Sequence, residues 1–142
     1  MTSLRFPDLN MWVAVQAPGH IHHTIVRKWW EQHSGEICFI RLTQLGFLRL
    51  CTTAAATDGK PLTMAGAWRA YTRFFDDDRV RFYIESSGAE AEFRRTTSGE
   101  TVSPKVWADA WLLAVAEAAG GKMVTLDRAL AGRGAHCLLG SR

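Results

Sequence analysis

The chain has 142 residues, 47% of them hydrophobic, and its 17 basic and 14 acidic side chains give a formal net charge of +3. This length is enough for a proper core, so we expect a single domain over residues 1–142. The small positive charge permits a polyanionic partner without requiring one.

Cysteine spacing and hydropathy argue against several classes of protein. Cys38, Cys51 and Cys137 are odd in number and form no CxxC pair, so the sequence indicates neither a zinc site nor a disulfide framework. No apolar run reaches the roughly 18 residues of a transmembrane helix, and the N-terminus lacks a signal-peptide pattern. We therefore expect a cytoplasmic protein with no membrane association.

The first third of the chain alternates between strand and helix patterns. We predict a strand over Leu4–Phe6 that ends at Pro7, a helical turn or two from Asn10, a helix from His20 to about His33, a strand over Glu36–Arg41 and a helix that Thr43 could cap. Asp8 directly follows the first strand. Gln44 lies in the first helical turn after the second strand.

The middle of the chain continues the alternation. We predict a loop over 53–61, an amphipathic helix over Thr63–Phe75, a strand over Val80–Ile84 near the sheet edge, and a short charged helix from Ala89 to about Thr96. The acidic triplet Asp76–Asp78 is typical of a solvated turn rather than of a cation site. Similarly, His22 and His23 point to different faces of a helix, which disfavours a metal site there.

The last third contains the most apolar segment. From Val106 to Ala116 the only polar side chain is Asp109, and Gly120-Gly121 ends this helix, for which Ser103 is the predicted cap with Pro104 at the first position. A strand over Lys122–Leu126, then Asp127, and a last strand over Ala135–Leu139 follow. Burying the charge of Asp109 is costly unless it is paired or bound to a cation. It could salt-bridge an arginine, and Asp127 could simply cap the next turn.

This order predicts a three-layer α/β/α sandwich with a mainly parallel central sheet. Because the carboxyl ends of parallel strands share one edge, Asp8, Gln44, Asp109 and Asp127 can converge in one crevice. Three carboxylates repel one another unless a cation intervenes, and oxygen-only ligands favour Mg²⁺ or Mn²⁺. Such ions support chemistry at phosphoryl groups.

Four segments together resemble PIN-domain ribonucleases, and within that family they are most similar to the VapC toxins of bacterial toxin–antitoxin pairs. The segments are Phe6-Pro7-Asp8-Leu9-Asn10-Met11-Trp12, Thr43-Gln44-Leu45-Gly46-Phe47-Leu48-Arg49, Ala108-Asp109-Ala110-Trp111-Leu112 and Val124-Thr125-Leu126-Asp127-Arg128. Each motif alone is common, but the ordered set is specific and spans essentially the whole chain.

The resemblance implies an Mg²⁺- or Mn²⁺-dependent endoribonuclease that acts on RNA such as tRNA or rRNA. It also implies a homodimer that a cognate VapB-type antitoxin neutralises. Asp8, Asp109 and Asp127 carry over as metal ligands, and Asn10 and Thr125 as polar supports. Where the family usually has a glutamate in the third helix, this chain has Gln44, whose amide can offer a carbonyl oxygen but no charge.

Further residues are candidates for contacts with RNA or antitoxin. Arg49, Lys105 and Arg128 could contact the RNA backbone, since phosphate binding is electrostatic. Three tryptophans could contact the antitoxin: Trp12, Trp30 and Trp68.

Two other functions remain open. The chain could be a catalytically weak PIN-like RNA-binding or interaction module, because Gln44 lacks the usual charge. A haloacid-type phosphatase also has an aspartate after its first strand, but Asp8-Leu9-Asn10 lacks the second aspartate that serves as its general acid.

Overall fold

The structure, a computed structural model, describes residues 3–140, and its centre is a parallel sheet. The five strands are β1 (Leu4–Pro7), β2 (Glu36–Phe39), β3 (Val80–Phe82), β4 (Lys122–Thr125) and β5 (His136–Cys137). They are arranged in the order β3-β2-β1-β4-β5, and every neighbouring pair is parallel. The predicted α/β class is confirmed, with a wholly parallel sheet in place of the mainly parallel one we expected.

Helices connect the strands. They are α1 (Leu9–Gln16), α2 (His23–Gln32), α3 (Arg41–Cys51), α4 (Met64–Arg73), α5 (Gly88–Thr96) and α6 (Trp107–Ala118). Within residues 3–140, none of the helices has the length and apolar character needed to cross a membrane.

Side chains of the sheet alternate between two apolar clusters, one on each face. Val124 packs with α1 to α4, where the Trp12 ring stacks on Phe39 with ring centroids 3.6 Å apart. Its neighbour Met123 points to the opposite face and packs with Leu112 of α6. This period of two is what a strand buried on both faces requires. The predicted three-layer sandwich is therefore confirmed.

Three predicted helix starts are corrected. The second helix begins at His23 instead of His20, because residues 20–22 form a turn in which the His20 carbonyl accepts the His23 N–H at 3.0 Å. Thr43 is not a cap residue: α3 begins two residues earlier, and the Thr43 hydroxyl accepts the backbone N–H of Ile40 at 3.1 Å. Likewise, Ser103 and Pro104 lie in a turn ahead of α6, which begins only at Trp107.

The acidic triplet is only partly the solvated turn that the sequence predicts. Asp76 and Asp78 are exposed, but Asp77 accepts hydrogen bonds from Arg79 Nη2 at 2.7 Å and from Trp30 Nε1 at 3.2 Å. These hydrogen bonds, chiefly the one from Arg79, lower the pKa of Asp77 to about 2. The Arg79 guanidinium also donates to the carbonyls of Trp30 and His33 at the end of α2. The middle aspartate thus ties α2 to the start of β3.

Candidate functional site

Asp8 lies at the carboxyl end of β1 and begins the next helix. Its Oδ1 accepts the backbone N–H of Met11 at 3.1 Å, which makes it the N-cap of α1. Its Oδ2 accepts the hydroxyl of Thr125 at 2.5 Å, and its own N–H donates to the Val124 carbonyl at 2.9 Å. Asp8 is therefore fixed by both its own helix and the adjacent strand β4.

Thr125 links two of the acids. It is fully buried at the end of β4, donates to Asp8, and accepts the backbone N–H of Asp127 at 3.0 Å. Asp127 in turn accepts the N–H of Ala129 at 2.9 Å and caps the 3-10 turn Arg128–Arg133. The interpretation of Asp127 as a cap is thus confirmed. Asp127 also lies two residues after Thr125, which donates to Asp8.

Asp109 lies in the first turn of α6 and is half-buried. Burial and then the charge of Asp127 raise its pKa, while the positive charge of Arg133 opposes them. Within residues 3–140 no hydrogen bond or salt bridge to the Asp109 side chain is formed. Its carboxylate is therefore available to a ligand.

The three acids act on one another electrostatically. Burial, with a smaller contribution from the charges of Asp109 and Asp127, raises the pKa of Asp8 to about 6 despite the hydrogen bonds from Thr125 and Met11. In the described part of the chain, no group of three or more His, Cys, Asp or Glu side chains is already gathered as a metal-binding cluster. The donor set is nevertheless oxygen-only and mutually repulsive, which fits a divalent cation such as Mg²⁺ or Mn²⁺.

Gln44 is buried in the first turn of α3, and its amide oxygen is already bonded. Arg41 Nη1 donates to Gln44 Oε1 at 2.5 Å, and the Arg41 guanidinium lies over the Phe82 ring, 4.7 Å from its centroid. The hydroxyl of Tyr71 is next to the same amide: burial raises the pKa of Tyr71, and a hydrogen bond from Gln44 works against that rise. Gln44 thus binds Arg41 and lies beside Tyr71.

The other predicted site residues lie outside this hydrogen-bonded centre. Asn10 is exposed on α1, and Lys105 is exposed in the turn that leads to α6. Arg128 is exposed, and its Nε donates to the Leu139 carbonyl at 3.1 Å. Arg49 is exposed eight residues beyond the start of α3, which puts it roughly 12 Å along the helix from the carboxyl edge of the sheet.

Two arginines near the site were not predicted from the sequence. Arg41 lies two residues after the end of β2, with Ile40 between them, so the strand-end signal that singled out Asp8 applies to it as well. Arg133 lies at the end of the 3-10 turn that Asp127 caps, close enough to lower the pKa of Asp109. No local motif marks Arg133, because only the tertiary fold brings it to α6.

The prediction that three tryptophans could contact the antitoxin is wrong for two of them. Trp12 is fully buried against Phe39, and Trp30 is 7% exposed with its Nε1 bonded to Asp77. Their rings serve the core because α1 and α2 both pack on that face of the sheet. Trp68 of α4 is 49% exposed and remains a candidate.

The fold and the site define an α/β protein with an acidic centre at the carboxyl edge of a parallel sheet. The family model of the PIN domain matches residues 5–134 of this chain. The chain is 41% identical over 128 residues to "Ribonuclease VapC41" of Mycobacterium tuberculosis, covering 86% of this chain and 88% of that protein. It is 28% identical over 135 residues to "Ribonuclease VapC39" of the same species, covering 87% and 88%. The chain therefore belongs to the PIN-domain family, in its VapC branch.

Solved structures share the fold at low sequence identity. VapC20 of Mycobacterium tuberculosis, described as a sarcin–ricin loop cleaving toxin, has a TM-score of 0.66 at 15% identity and covers 92% of this chain and 95% of its own. VapBC-1 from nontypeable Haemophilus influenzae has a TM-score of 0.62 at 12% identity, and the match covers 92% of this chain and 91% of the neighbour's chain. These likenesses support the α/β fold.

Proposed function

We propose that the protein is a metal-dependent endoribonuclease, the toxin of a toxin–antitoxin pair. Its site would bind Mg²⁺ or Mn²⁺ through Asp8, Asp109 and Asp127 and hydrolyse RNA phosphodiester bonds. The observation that carries the proposal is the half-buried Asp8 carboxyl, held by Met11 and Thr125, whose pKa burial and two further acids raise to about 6. Carboxylates that repel one another in this way have a physical reason to lie at the same edge of the sheet when a cation binds between them.

Each residue has a distinct part in this proposal. Asp8 and Asp127 supply oxygens from the ends of neighbouring strands, and Asp109 supplies one from α6. Thr125 holds the Asp8 carboxylate at 2.5 Å and the Asp127 backbone at 3.0 Å, so it fixes their relative positions. A bound divalent ion would lower the pKa of water and offset charge on the phosphoryl oxygens. Asn10 would support this edge from α1, and Gln44 would line it without adding charge.

The relatives support the substrate and the partner. The similar mycobacterial proteins are named ribonucleases, and one structural neighbour is a sarcin–ricin loop cleaving toxin. Another neighbour is a VapBC assembly, which supports a VapB-type antitoxin as the partner here. Lys105 and Arg128 are the proposed contacts to the RNA backbone, with Arg49 as a more distant one. A homodimer and a cytoplasmic location complete the proposal.

A second candidate function is RNA binding without turnover. Gln44 carries no charge, and its amide oxygen already accepts from Arg41, so the usual fourth acid has no substitute among these contacts. The phosphatase alternative has less support, since Asp8-Leu9-Asn10 lacks the second aspartate that would serve as its general acid.

The proposal is tested by incubating purified protein with total cellular RNA in Mn²⁺, in Mg²⁺ and in chelator. We expect discrete cleavage fragments in either metal and intact RNA in the chelator. RNA that stays intact in every metal but shifts on a native gel would favour the binding module. Cleavage that survives the chelator would overturn the metal requirement.

A further inference from the structure

The Arg41 side chain is held in place, yet its charge is not neutralised. One edge of the guanidinium donates to Gln44 Oε1 at 2.5 Å, and one face lies 4.7 Å from the centroid of the Phe82 ring. Arg41 itself is exposed, and its guanidinium forms no salt bridge with any residue in the described range 3–140. A guanidinium fixed at one edge and one face still has donors that can bind a phosphate in a bidentate manner.

Gln44 suits this arrangement because it is neutral. Its amide oxygen accepts from Arg41, and its amide NH₂ is the group available to donate to the Tyr71 hydroxyl. A glutamate at this position would pair with Arg41 and cancel its charge. The acceptor oxygen that a cation would need already accepts from a guanidinium, whose positive charge disfavours a cation beside it.

The sheet sets Arg41 beside the acidic centre. The β1–β2 pairing aligns Leu4 with Glu36, and the same register continued to the carboxyl edge aligns Asp8 with Ile40, the residue before Arg41. Adjacent strands lie about 4.8 Å apart. Farther along α3, a Cβ on Gly46 would lie 2.9 Å from Leu9 Cδ2, so α3 packs closely on the residue that follows Asp8.

We propose that Arg41 binds a backbone phosphate of the RNA next to the scissile one, and that Gln44 is a positioning residue for Arg41 instead of a cation ligand. This inference deepens the proposed nuclease function and rests on it. Arg41 would supply the positive charge that RNA needs on approaching a site lined by three carboxylates.

The test is a double-mutant cycle on RNA affinity in chelator, so that neither cation binding nor cleavage contributes. A fluorescein-labelled single-stranded RNA of mixed sequence is titrated with wild type, Arg41→Ala, Gln44→Met and the double variant at several salt concentrations. Arg41→Ala should weaken binding about tenfold and reduce the salt slope by about 0.7, the value for one phosphate contact on a single strand. Gln44→Met should weaken binding several-fold alone and have no further effect in the Arg41→Ala background.

The matched control is Arg94→Ala, which removes an exposed arginine paired with Glu90 near the end of α5 and should leave affinity unchanged. Wild-type affinity in Arg41→Ala, or no RNA binding by the wild type, overturns the proposal. So does a Gln44→Met effect that persists unchanged without Arg41. Because the assay contains no metal, a failure to cleave RNA would count against the nuclease function alone.

Discussion

Replacing Asp8 by asparagine is expected to abolish RNA cleavage and, at the same time, to stabilise the metal-free protein at neutral pH. Loss of cleavage follows from the removal of a central carboxylate, and we expect a rate at least about 100-fold below wild type. The stability gain follows from the raised pKa of Asp8, about 6 in the folded protein against 3.8 for the unperturbed group.

The sign follows from proton binding. Folded protein holds the Asp8 proton more tightly than unfolded protein does, so the stabilisation from this group is complete below pH 3.8 and is lost as the pH rises through about 6. At pH 7.5 the loss amounts to about 3 kcal/mol. Asparagine cannot ionise, so the Asp8→Asn variant does not suffer this loss of stability. Weaker hydrogen bonds to Thr125 and Met11 reduce its net gain in unfolding free energy to about 1–2 kcal/mol.

The measurement is urea unfolding in chelator at pH 4.5 and pH 7.5. Asp8→Asn should exceed wild type in unfolding free energy at pH 7.5 and show a smaller difference at pH 4.5. The matched control is Asp78→Asn in the exposed acidic turn, which should equal wild type at both values. A destabilised Asp8→Asn variant at pH 7.5 would contradict the electrostatic account of the site.

Thr125→Val should reduce cleavage about 10- to 100-fold, as the loss of a residue that orients metal ligands typically does. Valine keeps the shape of the buried side chain but removes the hydroxyl that donates to Asp8 at 2.5 Å and accepts from Asp127 at 3.0 Å. The hydroxyl lowers the pKa of Asp8, so the pKa should rise further in the variant. Activity should therefore need a higher pH and more Mn²⁺.

Thr125→Ser is the matched control, because it keeps the hydroxyl and removes only a methyl group. Initial rates are compared across Mn²⁺ concentrations and from pH 6 to pH 9. Serine should restore most of the rate and the wild-type pH dependence. Equal rates for valine and wild type at low Mn²⁺ would show that Thr125 does not orient the acids.

The alternation of strands and helices was predictable because each element carries its own local pattern. Pro7 ends β1, Gly120-Gly121 follows α6, and Thr63 caps α4. These signals can be read from the sequence because each depends only on the backbone preferences and hydrogen bonds of a few neighbouring residues. Helix starts were harder to predict, since α3 begins at Arg41 without a side-chain cap of its own and follows β2 almost directly.

The acids were predictable as candidates, but their environment was not. Asp8 and Asp127 are marked by their place after a strand, whereas the link between them through Thr125 joins residues 117 positions apart. Arg41 shows the same limit: its position was visible, but the Gln44 and Phe82 contacts depend on tertiary packing. The prediction for Trp12 and Trp30 was wrong because the sequence alone does not show which tryptophan ring faces the core.

The most direct test of the proposed acidic centre is the binding of Mn²⁺ to wild type and to Asp109→Asn, measured by isothermal titration calorimetry at pH 7.5. Asp109 makes no hydrogen bond or salt bridge within residues 3–140, so asparagine removes its charge and little else. We predict saturable binding to wild type and at least about tenfold weaker binding to the variant. No binding to wild type, or equal affinity in both proteins, would contradict a cation site built from Asp8, Asp109 and Asp127.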